Sequence, residues 1–244
     1  MTDPSAQSPS VIVVMPAHDE AGTIEAALTA VRASALHAGI WLRLIVVADA
    51  CTDETARLAR SAGAEVVVIE ANNVGAARAA GFDHALSRPA DSRDSPTTTD
   101  ASTPAGEPWL ATTDADSQVP LDWFSRQAEH RDRGADVVLG TVILAPVLGT
   151  DPVGRAWAAD YAQQITGSRH SHIHGANLAF TAQAYRAVNG FSSLADDEDV
   201  DLVTRLRRSD AVLVTATDMP VMTSRRTTGR APRGFAQTLG ALHA

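Results

Sequence analysis

The sequence predicts an α/β protein built on one doubly wound, mostly parallel sheet, and three observations carry that prediction. Apolar runs rich in β-branched residues, the uninterrupted Val11-Ile12-Val13-Val14-Met15 and Leu42 to Ala48 with its single Arg43, suit strands buried on both faces. Between the runs lie segments whose apolar residues recur at helical spacing. Acidic residues stand where runs end, at Asp49 and at Asp114 and Asp116, and open α/β sheets bind ligands outside the carboxyl ends of their strands.

Residues 1–9 are polar and read as a disordered leader. The first strand stops at Pro16, and Pro16-Ala17-His18-Asp19-Glu20 feeds a helix with Ile24, Ala27, Leu28, Val31 and Leu36 as its apolar positions. The second strand ends in Asp49-Ala50-Cys51-Thr52-Asp53, with Thr52 as N-cap of a helix carrying Ala56, Leu58 and Ala59. Glu65 to Glu70 makes a third strand and Val74 to Leu86 an alanine-rich third helix. Ser, Thr, Asp, Pro and Gly dominate 88–108, which is too polar to join a core and reads as a flexible surface loop. Trp109 to Thr112 follows as a strand that delivers Asp114 and Asp116, and Pro120 opens a helix through Trp123, Phe124 and Ala128. Asp136 to Leu144 is another strand, so the N-terminal half supplies four or five parallel strands. The C-terminal half is less regular. It holds a helix near Pro152 to Ile165, a strand around Asn177 to Thr181, helices at Ala182 to Val188 and Glu198 to Arg208, and a strand at Ala211 to Ala216. One domain over 10–222 with a basic tail at 223–244 accounts for the chain.

At 244 residues with 45% hydrophobic side chains, the chain has apolar surface enough for one large core. A formal charge of −9 speaks against a nucleic-acid binder, which needs clustered Lys and Arg. The exception is Arg225, Arg226, Arg230 and Arg233, a segment without acids that suits an anion. It reads either as a solvated tail or, with Gly229 and Gly234, as a lid closing over a diphosphate. Cys51 is the only cysteine, which excludes an intrachain disulfide and a cysteine-built zinc site. No apolar run approaches the ~20 residues of a membrane span and the start lacks a signal-like apolar core, so a cytoplasmic protein is expected.

Two carboxylates at i and i+2, as in Asp114-Ala115-Asp116, repel each other and gain nothing from packing. A hard divalent ion shared with phosphate oxygens is their natural partner, and a solvated Asx turn is the bland alternative. The turn after the first strand lacks Gly-x-Gly-x-x-Gly, and no Walker loop appears, so neither dinucleotide nor P-loop binding explains the sheet. The run Asp196 to Asp201 reads either as an acidic helix start favoured by the helix dipole, or as a helix that buries Val200, Leu202, Val203 and Leu206 and leaves Asp199 facing a cleft.

Four segments, in this order, resemble family 2 glycosyltransferases of the GT-A fold. Val-Ile-Val-Val-Met-Pro-Ala-His-Asp-Glu at 11–20 is similar to the family's strand followed by Pro-Ala-Tyr-Asn-Glu. Val46 to Thr55 resembles Val-Val-Asp-Asp-Gly-Ser-Thr-Asp-x-Thr, and Asn73 to Arg78 resembles Gly-x-x-x-Ala-Arg-Asn. Thr113-Asp114-Ala115-Asp116 resembles the Asp-x-Asp motif, and Gly190-Phe191 with Glu198-Asp199-Val200-Asp201-Leu202 and Arg205 resembles Gly-Phe and Glu-Asp-x-Asp-Leu-x-x-Arg. The resemblance implies that Pro16, Ala17, Asp19 and Glu20 line a nucleotide pocket, Asp49 hydrogen-bonds the base, and Arg78 sits near the nucleotide. It implies that Asp114 faces the ribose and Asp116 holds Mg2+ or Mn2+, which acts as Lewis acid for a departing nucleoside diphosphate. Asp199, with Glu198 beside it, is implied as general base for in-line, inverting attack by an acceptor hydroxyl on a nucleotide-sugar donor. The Gln-x-x-Arg-Trp signature of processive synthases is absent, which implies transfer of one sugar to a discrete acceptor.

Ala48, Ala50 and Cys51 depart from the family pattern, and they keep open a module that binds a nucleotide or sugar without turnover. A sugar nucleotidyltransferase is the other alternative, although the Gly-rich, basic loop of such enzymes is missing. His170, His172 and His174 alternate at strand period and share a face. With no Cys or carboxylate in register they read as satisfied or exposed histidines, His174 alone being a candidate for an acceptor-side or phosphate-facing role. Trp157 is the candidate for acceptor stacking.

Overall fold

The computed structural model describes residues 11–87 and 107–226. The expected leader, nearly all of the 88–108 loop, and Arg230 and Arg233 of the basic tail lie outside these residues. The chain alternates β1 (Val11–Ala17), α1 (Ile24–Ala38), β2 (Leu42–Asp49), α2 (Thr55–Ser61), β3 (Glu65–Ile69) and α3 (Val74–Ser87). Then come β4 (Trp109–Thr112), β5 (Ser117–Gln118), α4 (Trp123–Asp132), β6 (Val137–Leu144) and α5 (Pro152–Ala162). A hairpin of β7 (Ile165–Thr166) and β8 (Arg169–His170), a 3-10 turn (Gly175–Asn177), β9 (Leu178–Thr181), α6 (Ala182–Ala187), α7 (Glu198–Leu206) and β10 (Leu213–Thr223) complete it.

Eight strands form one sheet in the order β3-β2-β1-β4-β9-β6-β10-β5. It is mostly parallel, as expected, with β9 running antiparallel between β4 and β6, and β5 antiparallel at the edge. Alternate residues of β1 feed opposite faces, as the strand period demands. Val11, Val13 and Met15 pack with α1, α2 and α4, while Ile12 and Val14 pack with α3, α6 and α7. The chain leaves β1 toward β2 on one side and returns as β4 on the other, so β1 and β4 flank a topological switch point. Their pairing stops at Val14–Thr112, and Pro16, which has no N–H to offer, lies beyond it where the two strands part. No described helix is long and apolar enough to cross a membrane.

Several elements differ from their sequence reading. Leu36 is 84% exposed, because the buried stripe of α1 continues from Val31 to Ala35 and the next position turns out to solvent. Thr52 is not an N-cap. The α2 helix starts at Thr55, and the Asp53 carboxylate accepts its N–H at 2.9 Å. Pro120 sits in the turn before α4 rather than in its first turn. Val200 is exposed, and α7 buries Leu202, Val203 and Leu206 instead.

The largest difference is β10, which runs on to Thr223 by means of a bulge. Its register with β6 jumps from Ala216–Gly140 to Val221–Val142, so residues 217–220 stand against Thr141 alone. Pro220 is tolerated there because the ladder is already broken. Buried Asn177 repairs the break: its amide donates to Thr141 O at 2.8 Å and Met219 O at 2.9 Å, and its oxygen accepts from the Trp123 indole at 2.9 Å. Gly140 is required opposite it, since a Cβ there would collide with the Asn177 side chain. Asn177→Ala leaves three buried polar groups without partners, at about 1–3 kcal/mol each. Urea denaturation is expected to show a loss of about 3 kcal/mol or more, whereas a loss below about 1 kcal/mol would show that the bulge holds by itself.

Candidate active site

The first two loops at the carboxyl end of the sheet are clasped together by side chains that bind backbone. Asp19, held at φ 52°, accepts the N–H groups of Thr52 at 2.7 Å and Asp53 at 3.2 Å. In return Asp53 accepts from Ala21 N at 3.0 Å, and Thr55 Oγ1 accepts from Glu20 N at 2.7 Å. These bonds stabilise the charged form of Asp19 and lower its pKa, the Thr52 N–H most of all. Asp19, Cys51 and Asp53 bring ligand-type atoms within 4.8 Å of one another, but both carboxylates are already committed to the clasp.

Asp49 is buried at the tip of β2, where its two oxygens accept the N–H groups of Asn72 at 2.7 Å and Asn73 at 2.6 Å. It therefore shapes the entry to α3, using the atoms that the sequence reading assigned to a base. His18 reaches the Asp49 carbonyl at 2.7 Å.

The centre of the site is Arg78, 2% exposed on the inner face of α3. Its guanidinium donates to Asp114 at 2.6 Å, to Thr112 Oγ1 at 3.2 Å and to Glu198, and it lies 5.7 Å from the centre of the Phe191 ring. One side chain thus joins the end of β4 to the start of α7. Asp199 is alongside, its carboxylate accepting from Gly175 N at 2.6 Å. A Cβ on Gly175 would run into the Arg78 guanidinium, so glycine alone lets this backbone pass. Burial pushes Glu198 up to about 7 and raises Asp199, with the charge of Arg78 opposing both. Burial also works against the charge on Arg78, but Glu198 and Asp114 outweigh it and hold the guanidinium protonated.

Asp116 lies next along the same edge. It accepts from Ser224, and with Glu20 it flanks Arg226, whose Nη2 is 2.6 Å from Glu20 and 2.8 Å from Asp116. Arg225 turns away instead, to Asp151 at 2.7 Å and the Ala145 carbonyl. The structure therefore gathers Glu20, Arg78, Asp114, Asp116, Glu198, Asp199 and Arg226, and leaves Arg225 outside. His174, the residue before Gly175, carries no positive charge, since burial and His172 and His170 push its pKa down to about 3. The three histidines do share a face, yet their ring nitrogens go to separate partners, Leu139 O, Tyr161 O and Tyr161 Oη. Trp157 is buried against Tyr161 rather than open to a sugar. Asp201, close to Asp199 in sequence, is structural: it binds Ser192 and Arg205. Thr112, Gly175 and Ser224 belong to the site without any motif to announce them.

A mostly parallel sheet carrying Asp-x-Asp at one strand end, with acidic residues facing it from a helix, is the GT-A architecture of sugar transfer. The chain belongs to glycosyl transferase family 2, whose model matches residues 12–186. Among solved structures it is similar to Staphylococcus aureus TarS 1–349 in complex with UDP-GlcNAc, at 12% identity and a TM-score of 0.61, covering 92% of this chain and 61% of that one. It is also similar to the mannosyltransferase PcManGT from Pyrobaculum calidifontis in complex with GDP-Man and Mn2+, at 19% identity and a TM-score of 0.58, covering 98% of this chain and 62% of that one. The chain thus spans roughly three fifths of the length of these two chains, and 36% of a longer TarS chain. Against curated protein sequences it finds no significant match.

Removing Arg78 leaves the buried Glu198 and the partly exposed Asp114 without their shared cation. Arg78→Met is expected to cost about 3–5 kcal/mol in chemical denaturation, and Glu198→Gln to recover part of that loss in the Arg78→Met background.

Proposed function

We propose that this domain transfers one sugar from a nucleoside diphosphate sugar to a discrete hydroxyl acceptor, with inversion and with the help of Mg2+ or Mn2+. The observation that carries this reading is the junction at Arg78, where a strand end bearing Asp114 and Asp116 meets a helix start bearing Glu198 and Asp199. The complexes of the neighbours with UDP-GlcNAc and with GDP-Man and Mn2+ support the choice of donor class and of ion.

The residues present suit such a cation. Among the described residues, Glu20, Asp114, Asp116, Glu198 and Asp199 are set against only Arg78 and Arg226. A cleft with that excess of negative charge repels a diphosphate until further positive charge enters. Asp116 would hold the ion, and a guanidinium nitrogen already marks a place that positive charge favours between Asp116 and Glu20. When bound, a divalent ion neutralises the diphosphate as it departs. The chain's own groups do the rest. Asp114 faces the ribose, and the loop from Pro16 to Glu20 borders the nucleotide. Asp199 takes the proton of the acceptor hydroxyl as that oxygen attacks the anomeric carbon from the side opposite the diphosphate. Glu198, tied to Arg78, fixes the start of the helix that carries the base. Arg226 leaves Asp116 for the donor phosphates, which guanidinium groups bind in bidentate fashion.

Asp199→Asn is expected to keep donor binding by calorimetry while transfer falls at least about a hundredfold. Equal loss of binding and transfer would remove Asp199 from the role of base. A base must be ionised, and burial raises Asp199, so the fall of kcat/KM with decreasing pH is expected to set in above the ordinary carboxylate range. Arg226→Gln is expected to tighten Mn2+ binding severalfold in the absence of donor, read by electron paramagnetic resonance, and to raise the KM for the donor.

A further inference from the structure

We infer that Tyr161 and His174 are positioning residues that set the orientation and basicity of Asp199 through the Gly175 N–H; this rests on the reading of Asp199 as the base. From outside its own helix, the Asp199 carboxylate accepts the Gly175 N–H at 2.6 Å. Gly175 has little freedom of its own, because it passes against the Arg78 guanidinium on one side and opens the 3-10 turn Gly175–Asn177 on the other.

What holds that backbone in place comes from α5. The Tyr161 ring lies between Trp157, 4.6 Å away between ring centres, and His172, parallel to it within 1° at 3.6 Å. Its hydroxyl accepts the Val142 N–H at 3.1 Å, which ties it to β6. His174 Nε2 lies 2.9 Å from the same hydroxyl, and the phenolic proton is assigned to this bond, with the neutral imidazole accepting at Nε2 and carrying its own proton on Nδ1. The low pKa of His174 agrees with that assignment. A rigid sheet strand thus anchors a phenol, the phenol anchors an imidazole, and the next peptide unit presents its N–H to the base.

A hydrogen bond to the charged form of a carboxylate lowers its pKa, and a displaced base costs rate rather than donor affinity. The charged and titratable groups that face Asp199 are Arg78 from α3, Asp114 from β4 and Glu198 on its own helix, and none of them changes in the variants that follow.

The test compares His174→Leu, which offers Tyr161 no acceptor, with His174→Gln, whose amide oxygen does. His174→Leu is expected to lower kcat by about 10- to 100-fold with the donor KM within twofold, and to move the acidic limb of the pH profile upward. His174→Gln is expected to restore most of the rate, and Tyr161→Phe to behave like His174→Leu. A carbon-13 NMR titration of the Asp199 carboxyl, identified by its loss in Asp199→Asn, is expected to move upward in His174→Leu without any substrate present. If that titration stays where it is in the wild type, the inference fails. If it moves while the wild-type protein transfers no sugar from any donor, the positioning role stands and the transferase reading falls. Equal losses in the Leu and Gln variants would reduce His174 to packing and overturn the inference.

Discussion

The structure depends most on a single buried guanidinium. Arg78 faces Asp114 from the sheet and Glu198 from α7, with Asp199 close by, so three acids that would otherwise repel one another are held in one place. Burying ions costs several kcal/mol each, and a hydrophobic replacement of the whole group would fold as well or better. What the group secures is placement: the strand end and the helix start cannot separate without exposing uncompensated charge. That constraint lets two distant segments of sequence form one cleft.

The sheet contributes by deciding where its strands stop. The parting of β1 from β4 after Val14–Thr112 opens the crevice, and the acids lie at the strand ends that border it. On the far side, the β10 bulge lets the strand continue past Pro220 and bring Ser224 and Arg226 to Asp116. Asn177, Gly140 and Trp123 sustain that continuation with three hydrogen bonds in the core. Packing under the sheet and charge above it are therefore linked through one strand.

Much of this was legible in the sequence, and the parts that were not share a cause. Runs such as Val11 to Met15 announce buried strands because periodicity is local, and Asp-x-Asp announces a charged strand end for the same reason. The β10 strand was cut short at Ala216 because Asp218 and Pro220 carry the marks of a strand end, while the long-range repair by Asn177 leaves no local mark. Asp49 shows the same limit. Its position after a strand is readable, but its bonds to the backbone of Asn72 and Asn73 are set by tertiary approach. His174 stands out in the sequence as a candidate for an acceptor-side or phosphate-facing role, whereas the neutral state imposed by its surroundings is a property of the fold. Arg225 and Arg226 are indistinguishable in composition, and only the direction of the chain after β10 sends one to Asp151 and the other to Asp116.

The reciprocal clasp between the first two loops has a thermodynamic consequence for ligand capture. Asp19, Asp53 and Thr55 bind main-chain groups across the gap, so that wall is already assembled before anything arrives. Arg226, a half-exposed side chain, joins the first loop to Asp116 through ion pairs with Glu20 and Asp116. A cleft wall that is already ordered loses little further entropy when a ligand binds against it, so the main-chain bonds of the clasp lower the entropic cost of association on that side.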